Sequence, residues 1–184
     1  VHPDDTYAAA HENGSLGKME CWYILDCDED ATIVIGHNAK DHDDLVRMIE
    51  EKRWGELIRQ IPIKKGDFFQ INPGCVHAIK GGTLILETQQ SSDITYRVYD
   101  YDRLSDGKPR PLHVKQSIDV IEAPFLPDAG EAPQILVDNG HVKKTHLVTC
   151  PRYTVEKLDV VDAWEETFPD GFVNVSVLEG DRKS

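Results

Sequence analysis

Two histidines and a glutamate in this sequence have the residue types that hold a divalent metal ion. His2 stands beside Pro3 and the acidic pair Asp4 and Asp5, His77 follows the turn residues Pro73 and Gly74, and Glu20 opens a run of strand-forming residues. Imidazole nitrogen and carboxylate oxygen suit an ion such as Zn²⁺, and three protein ligands leave a position for water or substrate. A His, a Glu and a His brought together on neighbouring strands make such a centre, although spacing alone does not bring them together. Cys75, two residues before His77, is a further conceivable ligand. The four cysteines, Cys21, Cys27, Cys75 and Cys150, include no Cys-x-x-Cys pair and read as reduced thiols of an intracellular protein. His11, His37, His42, His113, His141 and His146 read as solvated or hydrogen-bonded imidazoles.

The elements that must position these residues are mostly strands. Residues 21–26 and 32–36 are short β-branched or aromatic runs around the acidic turn Cys27-Asp28-Glu29-Asp30, the pattern of a hairpin. Residues 68–71, 76–79, 83–88 and 95–99 repeat the pattern, punctuated by Gly66, Pro73-Gly74 and Gly81-Gly82, which predicts a barrel or sandwich. In a small barrel, inward side chains alternate along each strand, so a His after a tight Pro-Gly turn is aimed at the interior. Between these strands, Leu45, Met48, Ile49, Leu57, Ile58 and Ile61 fall at helical spacing amid charges, with Asp41 or Asp43 as N-cap. They predict a helical insertion over about residues 41–60 whose apolar stripe packs on the core.

Residues 1–20 read as loop with a helical turn near 7–11, and residues 112–121 as a short helix. Residues 123–133, with three prolines and one glycine, read as a connection between two modules. Strand-like runs near 144–148, 153–158 and 172–178 then predict the start of a second β-domain.

With 184 residues, 40% hydrophobic and 29% charged, the chain has the composition of a soluble globular protein. A net charge of −13 argues against a nucleic-acid partner, and an anionic substrate needs a local cluster of cations. No apolar run reaches the roughly 18 residues that span a bilayer, and the first residues lack a signal-peptide layout, so the expectation is a cytoplasmic protein without a membrane partner.

Residues 66–77, GDFFQINPGCVH, resemble the second motif of cupin barrels, where Gly-Asp opens a hairpin and a later His projects into the barrel. That family usually places Pro where Asn72 stands; here the proline is next door, at Pro73, and the spacing from Gly74 to His77 is kept. Together with Val1-His2-Pro3-Asp4-Asp5, with Gly17-Lys18-Met19-Glu20-Cys21-Trp22-Tyr23, and with the stretch from Leu86-Glu87 through Thr95-Tyr96-Arg97-Val98-Tyr99-Asp100, this segment is similar to the type I mannose-6-phosphate isomerases in their short bacterial form. The resemblance runs over residues 1–124 and continues weakly to 180.

The resemblance implies a metal-dependent isomerase that interconverts mannose 6-phosphate and fructose 6-phosphate through an enediol, with one zinc ion per chain. In the family, zinc is held by a Gln and a His in a Gln-x-His motif, a Glu two residues after a Lys, and the His that ends the cupin motif. His2, Glu20 and His77 match three of these. The Gln falls immediately before Val1, so the expectation is that the chain is part of a longer one, extended at both ends. Arg97 matches the active-site arginine, Lys18 the substrate-contacting lysine, and Glu87 a carboxylate of the same cavity. Read without the family, Lys18 and Arg97 are surface charges and Glu87 a paired strand residue; the resemblance reverses this for Arg97 and leaves Lys18 and Glu87 open.

The proton that moves between C1 and C2 needs a base, for which Glu87 and a metal-bound water are both candidates. Lys18, Arg97, Lys80 and Arg103 are the cations nearest the motifs for a substrate phosphate. The implied fold is mainly β: a metal-binding cupin, jelly-roll-like barrel over 1–124, a connection at 125–133, and part of a second cupin-like barrel over 134–184. A non-catalytic metal- or sugar-binding cupin module is the alternative. A cupin dioxygenase using Fe(II) normally needs a His-x-His pair, which the sequence does not contain.

Overall fold

The computed structural model of the chain describes residues 1–127, 132–168 and 171–180, so residues 128–131 of the proline-rich connection lie outside the described part. The chain forms two compact units, Val1–Glu131 with Val148–Thr154, and Ala132–Leu147 with Val155–Ser184.

The first unit is built on two antiparallel sheets. Strand β1 (Glu20–Cys27) is the centre of one, between β4 (Phe68–Ile71) and β6 (Thr83–Gln89). Strand β2 (Thr32–His37) is the centre of the other, between β3 (Ile58–Pro62) and β5 (His77–Ala78). Ile33 and Ile35 of β2 pack with Trp22 and Ile24 of β1 and Ile71 of β4, so the sheets share one apolar cluster. Val34, pointing the other way, joins a second cluster with Leu45, Met48, Ile49, Val76, Tyr96 and Val98. A strand buried on both faces reads as an unbroken apolar run, which is why Thr32-Ile33-Val34-Ile35-Gly36 shows no alternation.

Helix α1 (Asp5–His11) is capped by Asp4, whose side chain accepts from the Tyr7 amide at 2.7 Å. Helix α2 (His42–Glu50) is capped by Asp41, which accepts from the Asp44 amide at 2.8 Å, and it buries Leu45, Met48 and Ile49. A single turn, α3 (Trp54–Leu57), follows. A two-stranded ladder, β7 (Leu104–Ser105) with β8 (Lys108–Pro109), precedes helix α4 (Val114–Val120).

A third antiparallel sheet comprises β9 (Gln134–Asp138), β10 (Val142–Thr149) and β11 (Thr154–Val160), in the order β11-β10-β9. In the second unit the buried Lys144 ammonium is neutralised by Glu156 at 2.9 Å and Glu166 at 2.5 Å. Among the described residues no helix is long and apolar enough to cross a membrane.

Five expectations are corrected. First, β1 and β2 do not form a hairpin: the chain crosses from one sheet to the other between Cys27 and Thr32, because both edges of β1 are taken by β4 and β6 and both edges of β2 by β3 and β5. Second, the helical spacing overran its element: Ile58 and Ile61 lie in β3, where Ile61 pairs with Ile33. Third, residues 95–99 form no strand, since their backbone groups are taken by different segments, Tyr96 by Val1 and Arg97 by His113. Fourth, residues 172–178 form no strand; Phe172 is 93% exposed and Val175 75%, so this apolar run is not buried. Fifth, hydrogen bonding among the described residues closes no barrel. Strand β5 has only two residues, and the two sheets of the first unit are joined through side chains.

Candidate metal centre

Along β1 the inward face changes character within three residues. Ile24 and Trp22 lie in the apolar cluster, and two residues further on the same face carries Glu20, which is 1% exposed. His77 enters at the start of β5, after a turn in which the Cys75 amide donates to the Asn72 carbonyl at 3.2 Å. His2 is set by its backbone: the Gly74 amide donates to the His2 carbonyl at 2.9 Å, the Val1 amino nitrogen donates to the Tyr96 carbonyl at 3.1 Å, and the Tyr96 amide donates to the Val1 carbonyl at 3.0 Å.

Three side chains meet at this point. His2 Nε2 lies 3.3 Å from Glu20 Oε2, His77 Nε2 lies 3.3 Å from Glu20 Oε1, and the two Nε2 atoms are 3.1 Å apart. Each imidazole uses its other nitrogen on a carbonyl, His2 Nδ1 on Ile94 at 2.7 Å and His77 Nδ1 on Cys75 at 2.9 Å. A nitrogen that close to a carbonyl oxygen carries the proton, so each ring in its neutral form turns its Nε2 lone pair toward the carboxylate. Two lone pairs and an anion around one point repel each other unless a cation joins them. The separations are close to the edge, about 3.3 Å, of a tetrahedron of ligands around Zn²⁺. Glu20 Oε2 also lacks an aligned hydrogen bond, although Lys18 Nζ stands 2.9 Å away. The donor set therefore fits a divalent metal.

The electrostatics agree with this. Burial raises the Glu20 carboxyl, but the adjoining His2, His77 and Lys18 more than offset it and hold the group at about 2. Burial pushes His77 down to about 3, which keeps its lone pair available as a ligand. Cys75 does not join the group: its thiol is directed to the Val76 carbonyl at 3.5 Å, and burial raises it to about 11.

Lys18 and Glu87 lie beside the triad. The Lys18 ammonium is 2.9 Å from Glu20 and 3.7 Å from Glu87, and the Trp22 indole N–H donates to Glu87 Oε2 at 3.1 Å. Trp22 and Glu87 are directly opposite in the β1–β6 ladder, and the indole edge meets the His77 ring at 5.5 Å. Gln89 is paired with Glu20 and lines, with Ser91, Ser92 and Asp93, a cleft of about 350 Å³. Arg97 is half-buried, and among the described residues its guanidinium makes no ion pair or hydrogen bond. The other two expected cations are engaged elsewhere, Lys80 with Thr32 and Gln60, and Arg103 with Asp100. Sequence reasoning missed Trp22, which the two-residue period from Glu20 places on the same face, and His113, whose contact with Arg97 has no local signal.

No protein-family model matches the chain. It is 47% identical over 182 residues to the mannose-6-phosphate isomerase ManA of Bacillus subtilis, covering 98% of this chain and 57% of that protein. It is 47% identical over 183 residues to the mannose-6-phosphate isomerase of Streptococcus mutans, covering 98% and 56%. The crystal structure of a mannose 6-phosphate isomerase from Bacillus subtilis superposes with a TM-score of 0.83 at 44% identity, over 87% of this chain and 51% of that one. A putative mannosephosphate isomerase from Archaeoglobus fulgidus shares the fold, with a TM-score of 0.53 at 17% identity over 80% and 45% of the two chains. The chain thus spans about half the length of the curated relatives it matches.

Proposed function

We propose, since this chain is a homologue of the bacterial type I mannose-6-phosphate isomerases in the cupin superfamily, that it serves the metal-dependent interconversion of mannose 6-phosphate and fructose 6-phosphate. The observation that carries this reading is the meeting of His2, Glu20 and His77, two imidazoles and a carboxylate, in a buried site. These three residues hold one zinc ion per chain, the metal that best suits such donors at tetrahedral spacing. Bound there, zinc supplies Lewis-acid stabilisation to the carbonyl and enediolate oxygens of the substrate.

In the isomerisation a base removes the proton on C2 of the open-chain aldose, the electron pair forms the C1–C2 double bond of the enediol, and the C1 oxygen gains a proton. Return of a proton to C1 and loss of the C2 hydroxyl proton give the ketose. Glu87 is our candidate base, a partly exposed carboxylate oriented by the Trp22 N–H and by Lys18. Lys18 holds positive charge between the carboxylates of Glu20 and Glu87. Arg97, without a carboxylate partner among the described residues, meets the anionic part of the substrate, and its planar fork suits an enediolate or a phosphate.

The likeness to isomerase structures supports reading the first two sheets as a jelly-roll-like cupin fold, not closed into a barrel by hydrogen bonds, with α2 and α3 as its insertion. On this reading residues 1–124 are the metal-binding domain, 125–133 the connection, and 134–184 part of a second cupin-like domain. The free cysteines favour a cytoplasmic location, and the net charge of −13 disfavours nucleic acid as a partner. The test is His77→Ala in the intact protein, which should lose bound metal and turnover of mannose 6-phosphate together. Full metal retention would refute the ligand assignment, and metal binding without turnover in the wild type would assign a non-catalytic metal- or sugar-binding module instead.

A further inference from the structure

His113 is the N-cap residue of α4, and its side chain does nothing for that helix. An N-cap side chain ordinarily accepts a hydrogen bond from the second or third amide of its own helix, which is why Ser, Thr, Asp and Asn are preferred there. Here Nδ1 accepts from the Arg97 amide at 3.2 Å, and the His113 amide donates to the Arg97 carbonyl at 2.8 Å. Both backbone polar groups of Arg97 therefore end on one residue, sixteen positions away.

The surroundings give this pairing a purpose. Arg97 lies between buried Tyr96 and Val98 in a segment that belongs to no sheet, so without His113 its N–H would be half-buried and unpaired. Tyr96 is bonded in both directions to Val1, next to His2, and its hydroxyl donates to Glu12 at 2.7 Å. The segment is thus anchored on one side to the chain that carries a metal-ligand candidate and on the other to the start of α4. Among the described residues the guanidinium of Arg97 has no ion-pair or hydrogen-bond partner.

We propose that His113 is a positioning residue for Arg97, fixing through a two-point backbone clamp the base from which the guanidinium reaches the substrate. The role rests on the reading of Arg97 as a substrate-facing group. It needs an acceptor at the place of Nδ1, and it assigns to His113 the tautomer with its proton on Nε2.

Three variants of the intact, metal-loaded protein test this: His113→Asn, His113→Gln and His113→Leu. Asparagine offers an oxygen where Nδ1 stands, glutamine carries its acceptor one bond further out, and leucine offers none. Hydrogen exchange at the Arg97 amide and steady-state kinetics with mannose 6-phosphate are read on the same samples, with metal content. In the Leu and Gln variants the Arg97 amide should exchange about tenfold faster, and kcat should fall by about 10- to 100-fold, the usual effect of a small misplacement of a catalytic group. Metal content should stay at the wild-type level, and the Asn variant should recover both readouts to near wild type. A merely structural role would instead lower metal content and kcat together, with Asn no better than Leu. Unchanged exchange at Arg97 in both the Leu and Gln variants, or faster exchange with wild-type kcat, would overturn the proposal. A wild type that does not turn over the sugar phosphate would defeat the proposed function, and amide exchange would still decide the clamp.

Discussion

Replacing Arg97 by alanine separates a charge that serves the reaction from one that serves the fold. Removing one partner of a buried ion pair costs about 3 to 5 kcal/mol, because the other charge is left uncompensated. Arg97 has no such partner among the described residues, so its deletion strands no carboxylate. The two bonds to His113 use the backbone of residue 97 and survive the substitution. The expected change in stability is therefore about 1 kcal/mol, from the lost packing of a half-buried side-chain stem alone. The catalytic effect should be much larger. A donor aimed at developing negative charge is worth about 2.7 to 4 kcal/mol, so kcat should fall by roughly 100- to 1,000-fold. Arg97→Lys should recover only part, since an ammonium restores the charge but not the planar fork. The assay is steady-state conversion of mannose 6-phosphate by the intact protein, with thermal denaturation and metal content measured on the same preparations. A variant that keeps kcat within a few-fold of wild type, or that loses its metal, refutes the reasoning.

Glu20→Gln removes the anion from the triad while leaving an amide that can donate toward the Nε2 atoms, which lie 3.3 Å from the present oxygens. Metal affinity, read by competition with a chelator, should fall by about 100-fold or more, and the metal-free protein should melt below wild type, because the largely buried Lys18 ammonium 2.9 Å away loses its partner. Gly36 has a φ of +82°, and a Cβ there would stand 2.2 Å from the Phe125 ring; Gly36→Ala should cost about 3 kcal/mol in denaturant unfolding. An unchanged midpoint would contradict that packing. The Arg110 hydrogen bond, opposed by burial and assisted by Arg103, holds the Asp100 carboxyl at about 2. Because its folded pKa lies below its unfolded value near 3.9, this group stabilises the fold above about pH 4 and ceases to do so as the pH falls toward 2. Asp100→Asn should therefore lower stability at neutral pH and flatten its decline over that acid window.

The parts of the site that were legible in the sequence are those fixed by short-range pattern. Glu20 stands at the start of an apolar run that becomes β1, His77 follows the Pro73-Gly74 turn, and the structure brings both to His2. What the sequence concealed depends on long-range partner choice. Residues 20–27 and 32–37 look like a hairpin because they are neighbours, yet each pairs with strands reached only later in the chain. Residues 95–99 alternate like a strand, but their backbone bonds go to Val1 and His113, at opposite ends of the unit's sequence. Lys80 and Arg103 are as basic as Lys18 and Arg97; only the folded chain shows that Gln60 and Asp100 already engage them.

The most direct test of a metal-dependent site at His2, Glu20 and His77 is to strip the intact protein with a chelator and return zinc in measured steps. Bound metal and mannose 6-phosphate turnover are followed on the same samples. The two should rise together from zero and level off at one ion per chain, with no recovery in the His77→Ala variant. Full turnover by the stripped protein, or saturation of turnover unrelated to occupancy of this site, would contradict the account.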